Sequence, residues 1–155
     1  MTEPDHAAAR PWTDHDEDRV VGRGHPIGEF LEAWKWRVLE RSDGHLRVEA
    51  HLPASVLNPR GELFGGFTPT YVDLISLFAV RTKPDRRNRT QRPSLATLSM
   101  RIDYLEPVIG PRFVLDSRVE ATRGLTDHVL TKFLVDDMVA VIATATMRTL
   151  DRASQ

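Results

Sequence analysis

One stretch of this chain, Phe67 to Val80, is apolar on nearly every side of a helix: Phe67, Tyr71, Val72, Leu74, Ile75, Leu77, Phe78, Ala79 and Val80. A helix without a wet face cannot lie on a surface and has to be enclosed by the rest of its chain. The spacing of Phe67, Tyr71, Leu74/Ile75 and Phe78 is helical, and the run is too long for a buried strand. Pro69 falls near the first turn, where its missing N–H costs little. Whatever the remaining residues build must therefore wrap around this segment.

They are patterned as strands. His45–Leu52 alternates cleanly, with Leu46, Val48, Ala50 and Leu52 on one face and His45, Arg47, Glu49 and His51 on the other. Lys35–Ser42 alternates in part, and Ser42-Asp43-Gly44 between the two runs is a tight-turn signal, so they form a hairpin with one wet face. His45 and His51 are expected on that face, in water. Ser94–Leu105 sets Ala96, Leu98, Met100, Ile102 and Tyr104 against Thr97, Ser99, Arg101 and Asp103. Arg112–Ala121, Thr126–Val135 and Met138–Leu150 complete six strands, and a short helix is predicted around Ile27–Ala33. Connections among the last four strands are short enough for antiparallel neighbours. The fold class is α+β, an antiparallel six-stranded sheet wrapped around one long central helix. A lone sheet leaves open edges and a second face, which favours pairing with another copy.

Composition narrows the function. The 155 residues suit one domain, and 21 basic against 22 acidic side chains argue against whole-molecule affinity for nucleic acid. The absence of Cys excludes disulfides, thiolate nucleophiles and thiolate metal sites. No run approaches the roughly 20 apolar residues of a membrane span. Met1-Thr2-Glu3-Pro4-Asp5 lacks the blocks of a secretory signal, so a cytoplasmic protein is expected. Residues 1–25 are rich in Asp and Glu and read as a flexible acidic tail, with His15 solvated rather than holding a metal. Residues 26–150 form the domain and 151–155 a frayed end. No metal site and no cofactor are expected.

Asp73 is the only charge between Glu62 and Arg81. With Thr70 and Ser76 it forms a narrow polar stripe on a helix predicted to be enclosed. Burying an unpaired carboxylate costs several kcal/mol by rough estimate, which leaves two readings: a functional carboxylate, or one that touches water or an Arg. Gly65-Gly66 directly precedes the helix. Free amides there carry the positive end of the helix dipole and can hold a carbonyl oxygen that becomes negative during acyl transfer. Asp73 lies roughly 10 Å further along the axis, at about 1.5 Å per residue. The two groups would serve one carbon most simply if two subunits shared the site.

Asn58-Pro59-Arg60-Gly61-Glu62-Leu63-Phe64-Gly65-Gly66, followed by Thr70-Tyr71-Val72-Asp73, resembles the signature of the PaaI-like hotdog-fold acyl-CoA thioesterases. Ile102-Asp103-Tyr104-Leu105-Glu106-Pro107 with Gly110, and the small residues of Ala140–Thr146, extend the likeness from about Ile27 to Leu150. The resemblance implies a hotdog fold, a homodimer or homotetramer, and active sites at the dimer interface. It matches Asp73 to a catalytic carboxylate, acting as general base or nucleophile, and Gly65 to the residue whose N–H polarises the thioester carbonyl. Asn58 matches a polar residue that positions water or thioester, and Thr97 a hydroxyl that orients the attacking water from the partner subunit. One position departs: the family usually carries His before the two glycines, and here Phe64 adds apolar bulk.

Two functions follow. In the first, an acyl-CoA is hydrolysed, with Phe64 and Gly66 at the acyl group and the basic loop residues Arg86, Arg87 and Arg89 facing the CoA phosphates. In the second, favoured by Phe64, the protein binds acyl thioesters with little or no turnover. A hydratase of the same fold would want His near the helix start, and none lies between His51 and His128.

Overall fold

The computed structural model describes Val20 and residues 26–84 and 94–150. Helix α1 (Pro26–Phe30) and a 3-10 turn (Ala33–Lys35) lead into β1 (Arg37–Ser42) and β2 (His45–His51). After a loop with a second 3-10 turn (Ala54–Val56), a third (Gly65–Phe67) runs directly into α2 (Thr68–Arg81). Strands β3 (Ser94–Tyr104), β4 (Arg112–Arg123), β5 (Thr126–Val135) and β6 (Met138–Leu150) follow. They form one six-stranded sheet in the order β1-β2-β4-β5-β6-β3, antiparallel at every junction. The sheet folds over α2 as the patterning predicts, and it leaves β1 and β3 as edges.

The core forms where the inward faces meet the helix. Tyr71, fully buried, stacks on Trp36 with ring centroids 5.6 Å apart and meets Phe113 edge-on at 5.3 Å. Phe113 in turn stacks on Phe133 at 5.4 Å, so one aromatic column ties α2 to β4 and β5. The Tyr71 hydroxyl donates to the His51 carbonyl at 3.0 Å, and burial pushes its phenol well above the ordinary range. Val72, Ile75 and Ala79 are also fully covered.

Five expectations change. His45 is not solvated: it is 4% exposed, with Nε2 2.8 Å from Asp116 and Nδ1 3.2 Å from Glu40, carboxylates that the neighbouring strands bring over it. His51 meets Glu32 at 2.6 Å. Val20, inside the segment predicted as a tail, is 1% exposed and belongs to the core. The remaining residues of 1–25, the end 151–155, and Arg86, Arg87 and Arg89 lie outside the described residues.

The fourth and fifth changes shape the site. The stripe of Thr70, Asp73 and Ser76 turns about the helix by roughly 60° at each step of three residues. Ser76 therefore ends up fully buried against the Thr131 hydroxyl, which in turn bonds Ser117, while Asp73 is exposed. Among the described residues of one chain no apolar enclosure closes over Asp73, because no described strand pairs beyond β3. Strand β3 also departs from simple alternation. Thr97 pairs with Met147 and Ser99 with Thr146, leaving Leu98 as the extra residue of a β-bulge. The bulge turns Thr97 onto the helix-facing side with Met100, Ile102 and Tyr104, where plain alternation sets it on the opposite face.

Candidate active site

Among the described residues, clefts open along α2 at its start and at its flank. The loop into the helix start is built by Asn58. Its Oδ1 accepts the backbone N–H groups of Arg60 (2.9 Å) and Glu62 (3.1 Å), and its Nδ2 donates to Glu62 Oε2 (3.0 Å). Gly61 takes φ 77°, a left-handed conformation that suits glycine. Arg60 binds the same Glu62 oxygen at 2.8 Å, and these two donors hold the Glu62 carboxyl below the usual carboxylate range, Asn58 foremost. Asn58, assigned by resemblance to water or thioester, here spends its carbonyl oxygen and one amide hydrogen on folding the loop.

Past this loop the Gly65–Phe67 turn presents the first amides of the helix. Phe64 O accepts from Phe67 N–H at 2.9 Å, and Gly65 O accepts from Thr68 N–H. The N–H groups of Gly65 and Gly66 have no acceptor among the described residues. Gly65 lines a cleft of about 310 Å³ with Asn58, Thr68, Tyr104 and Val141. A Cβ on Gly66 would lie 2.8 Å from the Phe64 ring, so Phe64, 52% exposed, shields one side of Gly66. Phe64 continues through Phe67 (5.8 Å) to Phe30 (5.4 Å), an aromatic ledge beside the helix start.

The second cleft, about 370 Å³, is lined by Ile27, Pro69, Thr70, Asp73, Leu77 and Met100. Among the described residues its one ionisable lining side chain is Asp73, whose Oδ1 accepts a hydrogen bond from the Thr97 hydroxyl. Thr97 Oγ1 also lies 3.3 Å from Met147 Sδ. Asp73 and Thr97 thus form a unit within one chain, at the open edge of the sheet. Eight residues separate Gly65 from Asp73, roughly 12 Å along the helix, and the two stand in different clefts.

Of the basic stretch after α2, Lys83 is described: its Nζ donates to Thr122 at 2.8 Å and binds Asp127, which pins the helix end to the β4–β5 hairpin. Sequence reasoning placed Tyr104 only on the apolar face of β3. In the structure its hydroxyl donates to the Gly65 carbonyl at 2.8 Å. A phenol at a strand end asks for a partner, but which backbone group it meets depends on the sheet order. Among the described residues, no helix is long and apolar enough to cross a membrane.

The wrapped sheet and central helix define the hotdog fold. Solved structures share it across most of this chain. A hypothetical thioesterase protein from Streptococcus pneumoniae, determined with coenzyme A, has a TM-score of 0.67 at 21% identity, covering 81% of this chain and 92% of its own. The phenylacetic acid degradation protein PaaI from Thermus thermophilus gives 0.63 at 23% identity, covering 79% and 99%. PaaI from Escherichia coli gives 0.65 at 13% identity, covering 80% and 83%. No family profile matches the sequence, and no curated protein matches it.

Proposed function

We propose that this protein hydrolyses an acyl-CoA thioester to the free acid and CoA, at sites that each take Gly65 from one protomer and Asp73 from another. The observation that carries this reading is the Asp73–Thr97 pair, exposed on the open edge of β3 beside a cleft lined mostly by apolar side chains. Exposed Leu98, Tyr104 and Leu105 along the same edge give a second protomer apolar surface to cover. A homodimer, or a tetramer built from two of them, would bring the helix start of one chain to the carboxylate of the next.

In such a site the thioester carbonyl oxygen accepts from Gly65 N–H. Asp73 takes a proton from water while the water oxygen bonds to the carbonyl carbon, and the carbonyl electron pair moves onto oxygen beside the amide. When that pair returns, the carbon–sulfur bond breaks and the sulfur leaves with the proton. Thr97 occupies Oδ1, which leaves Oδ2 for the water. A bound coenzyme A in the Streptococcus pneumoniae relative supports the ligand class. Arg86, Arg87 and Arg89 are proposed for the phosphates on charge alone.

Phe64 favours a second reading, acyl-thioester binding without turnover, because its ring narrows the approach to Gly66. Thiol release from short, medium and aromatic acyl-CoAs separates the two, and the Cys-free chain adds no background to a thiol reagent. Hydrolysis that Asp73→Asn abolishes supports the enzyme. CoA binding with no release from any substrate supports the binding protein, and equal release by both proteins removes Asp73 from its role.

A further inference from the structure

We infer that Tyr104 is a positioning residue that aligns the Gly65–Gly66 peptide, so that Gly66 N–H joins Gly65 N–H in facing the substrate carbonyl oxygen. The inference rests on the thioesterase reading above and adds a second donor and the group that aims it.

A trans peptide points its C=O and N–H in opposite directions, so whatever fixes one fixes the other. The Phe64–Gly65 peptide is held on its carbonyl side by Phe67 N–H at 2.9 Å, which is the ordinary bond of a 3-10 turn. The Gly65–Gly66 peptide is held twice, by Thr68 N–H and by the Tyr104 hydroxyl at 2.8 Å. The second bond comes from outside the helix, from the last residue of β3. Two donors on one carbonyl oxygen draw electron density toward it and leave the Gly66 N–H a stronger donor. The ring takes part as well: a Cβ on Gly65 would lie 3.6 Å from the Tyr104 ring, ordinary contact, so the ring backs the glycine without crowding it. On the other side the Phe64 ring fills the space of a Gly66 Cβ. The diglycine is thereby clasped between two aromatic rings, with both amides unspent among the described residues.

Strand β3 of one chain thus serves two proposed sites, with Thr97 beside Asp73 at one end and Tyr104 beside Gly65 at the other. Any partner that pairs on this edge would set both at once.

Tyr104→Phe keeps the ring and deletes the hydroxyl. The full-length variant is compared with wild type in kcat and KM for acyl-CoA hydrolysis and in melting temperature. In parallel, the Gly66 amide is followed by nitrogen-15 NMR while a ketone analogue of acyl-CoA, with methylene in place of sulfur, is added. The expected result is a kcat roughly five- to tenfold lower, the size of one ordinary hydrogen bond, with KM unchanged and the melting temperature lowered by no more than a few degrees. The Gly66 proton should move downfield with the analogue in wild type and clearly less in the variant. An unchanged kcat in an active enzyme, or a Gly66 amide that ignores the analogue in both proteins, overturns the inference. If wild type hydrolyses no thioester, the thioesterase reading falls, and the Gly66 shift alone decides: a smaller shift in the variant sustains the role of Tyr104 in aligning a binding group, and an equal shift overturns it.

Discussion

Replacing Gly65 by proline would remove the proposed oxyanion donor and little else. Gly65 opens the helix-forming turn, the position where proline's missing N–H is lost at no cost. Phe64 before it sits at φ −63° and ψ 124°, the extended conformation that a following proline requires. No acceptor among the described residues is bound to the Gly65 N–H, and the space a Cβ would fill ends at van der Waals contact with Tyr104, 3.6 Å away. A compatible substitution of this kind lowers the entropy of the unfolded chain and adds about 0.4–1 kcal/mol of stability. Deleting one oxyanion donor costs on the order of 10²–10³ in kcat. Gly65→Pro is therefore expected to melt at or above the wild-type temperature while its thioester hydrolysis falls a hundredfold or more. Circular dichroism with heating reads the first, continuous thiol release the second. A folded variant with near-wild-type turnover would refute the assignment of the amide.

Three further outcomes follow from the same geometry. Thr97→Val keeps the shape and deletes the donor to Asp73; a bond to a charged acceptor is worth about 1.5–3 kcal/mol, so kcat should drop about tenfold or more, with Thr97→Ser restoring the rate. Gly66→Ala sets a Cβ 2.8 Å from the Phe64 ring, so its cost in urea denaturation should shrink when combined with Phe64→Ala; strictly additive costs would deny the contact. Asn58 and Arg60 hold the Glu62 carboxyl below its usual value of 4.5 in the fold, so this contribution to stability is present above about pH 4.5 and lost as pH falls through the lower folded value. Denaturation between pH 7 and 3 should show wild type losing stability more steeply than Glu62→Gln at the acid end, and parallel curves would contradict it.

The central helix and the six strands were legible because burial leaves its mark in periodicity: an all-round apolar segment and runs of period two admit few other packings. What periodicity does not carry is which strand ends at the edge. The order β1-β2-β4-β5-β6-β3 leaves Asp73 uncovered in one chain, whereas a carboxylate on so apolar a helix reads as enclosed. The same holds for His45, covered by Asp116 from a strand 71 residues away. One extra residue, Leu98, reverses the face of Thr97, and a bulge has no signature in an alternation otherwise unbroken. At the site, Gly65-Gly66 and Asp73 stood out by chemistry. Tyr104 did not, since its partner is a backbone carbonyl that only the folded topology supplies.

The shared site is tested most directly by complementation between two inactive chains. Gly65→Pro and Asp73→Asn chains carrying different affinity tags are co-expressed, and thiol release is measured on the mixed population. A site divided between protomers has one intact pair in every mixed dimer, so a random mixture should recover about one quarter of wild-type activity. If each chain holds its own complete site, every site in the mixture still carries a lesion, and the activity will stay as low as that of either variant alone.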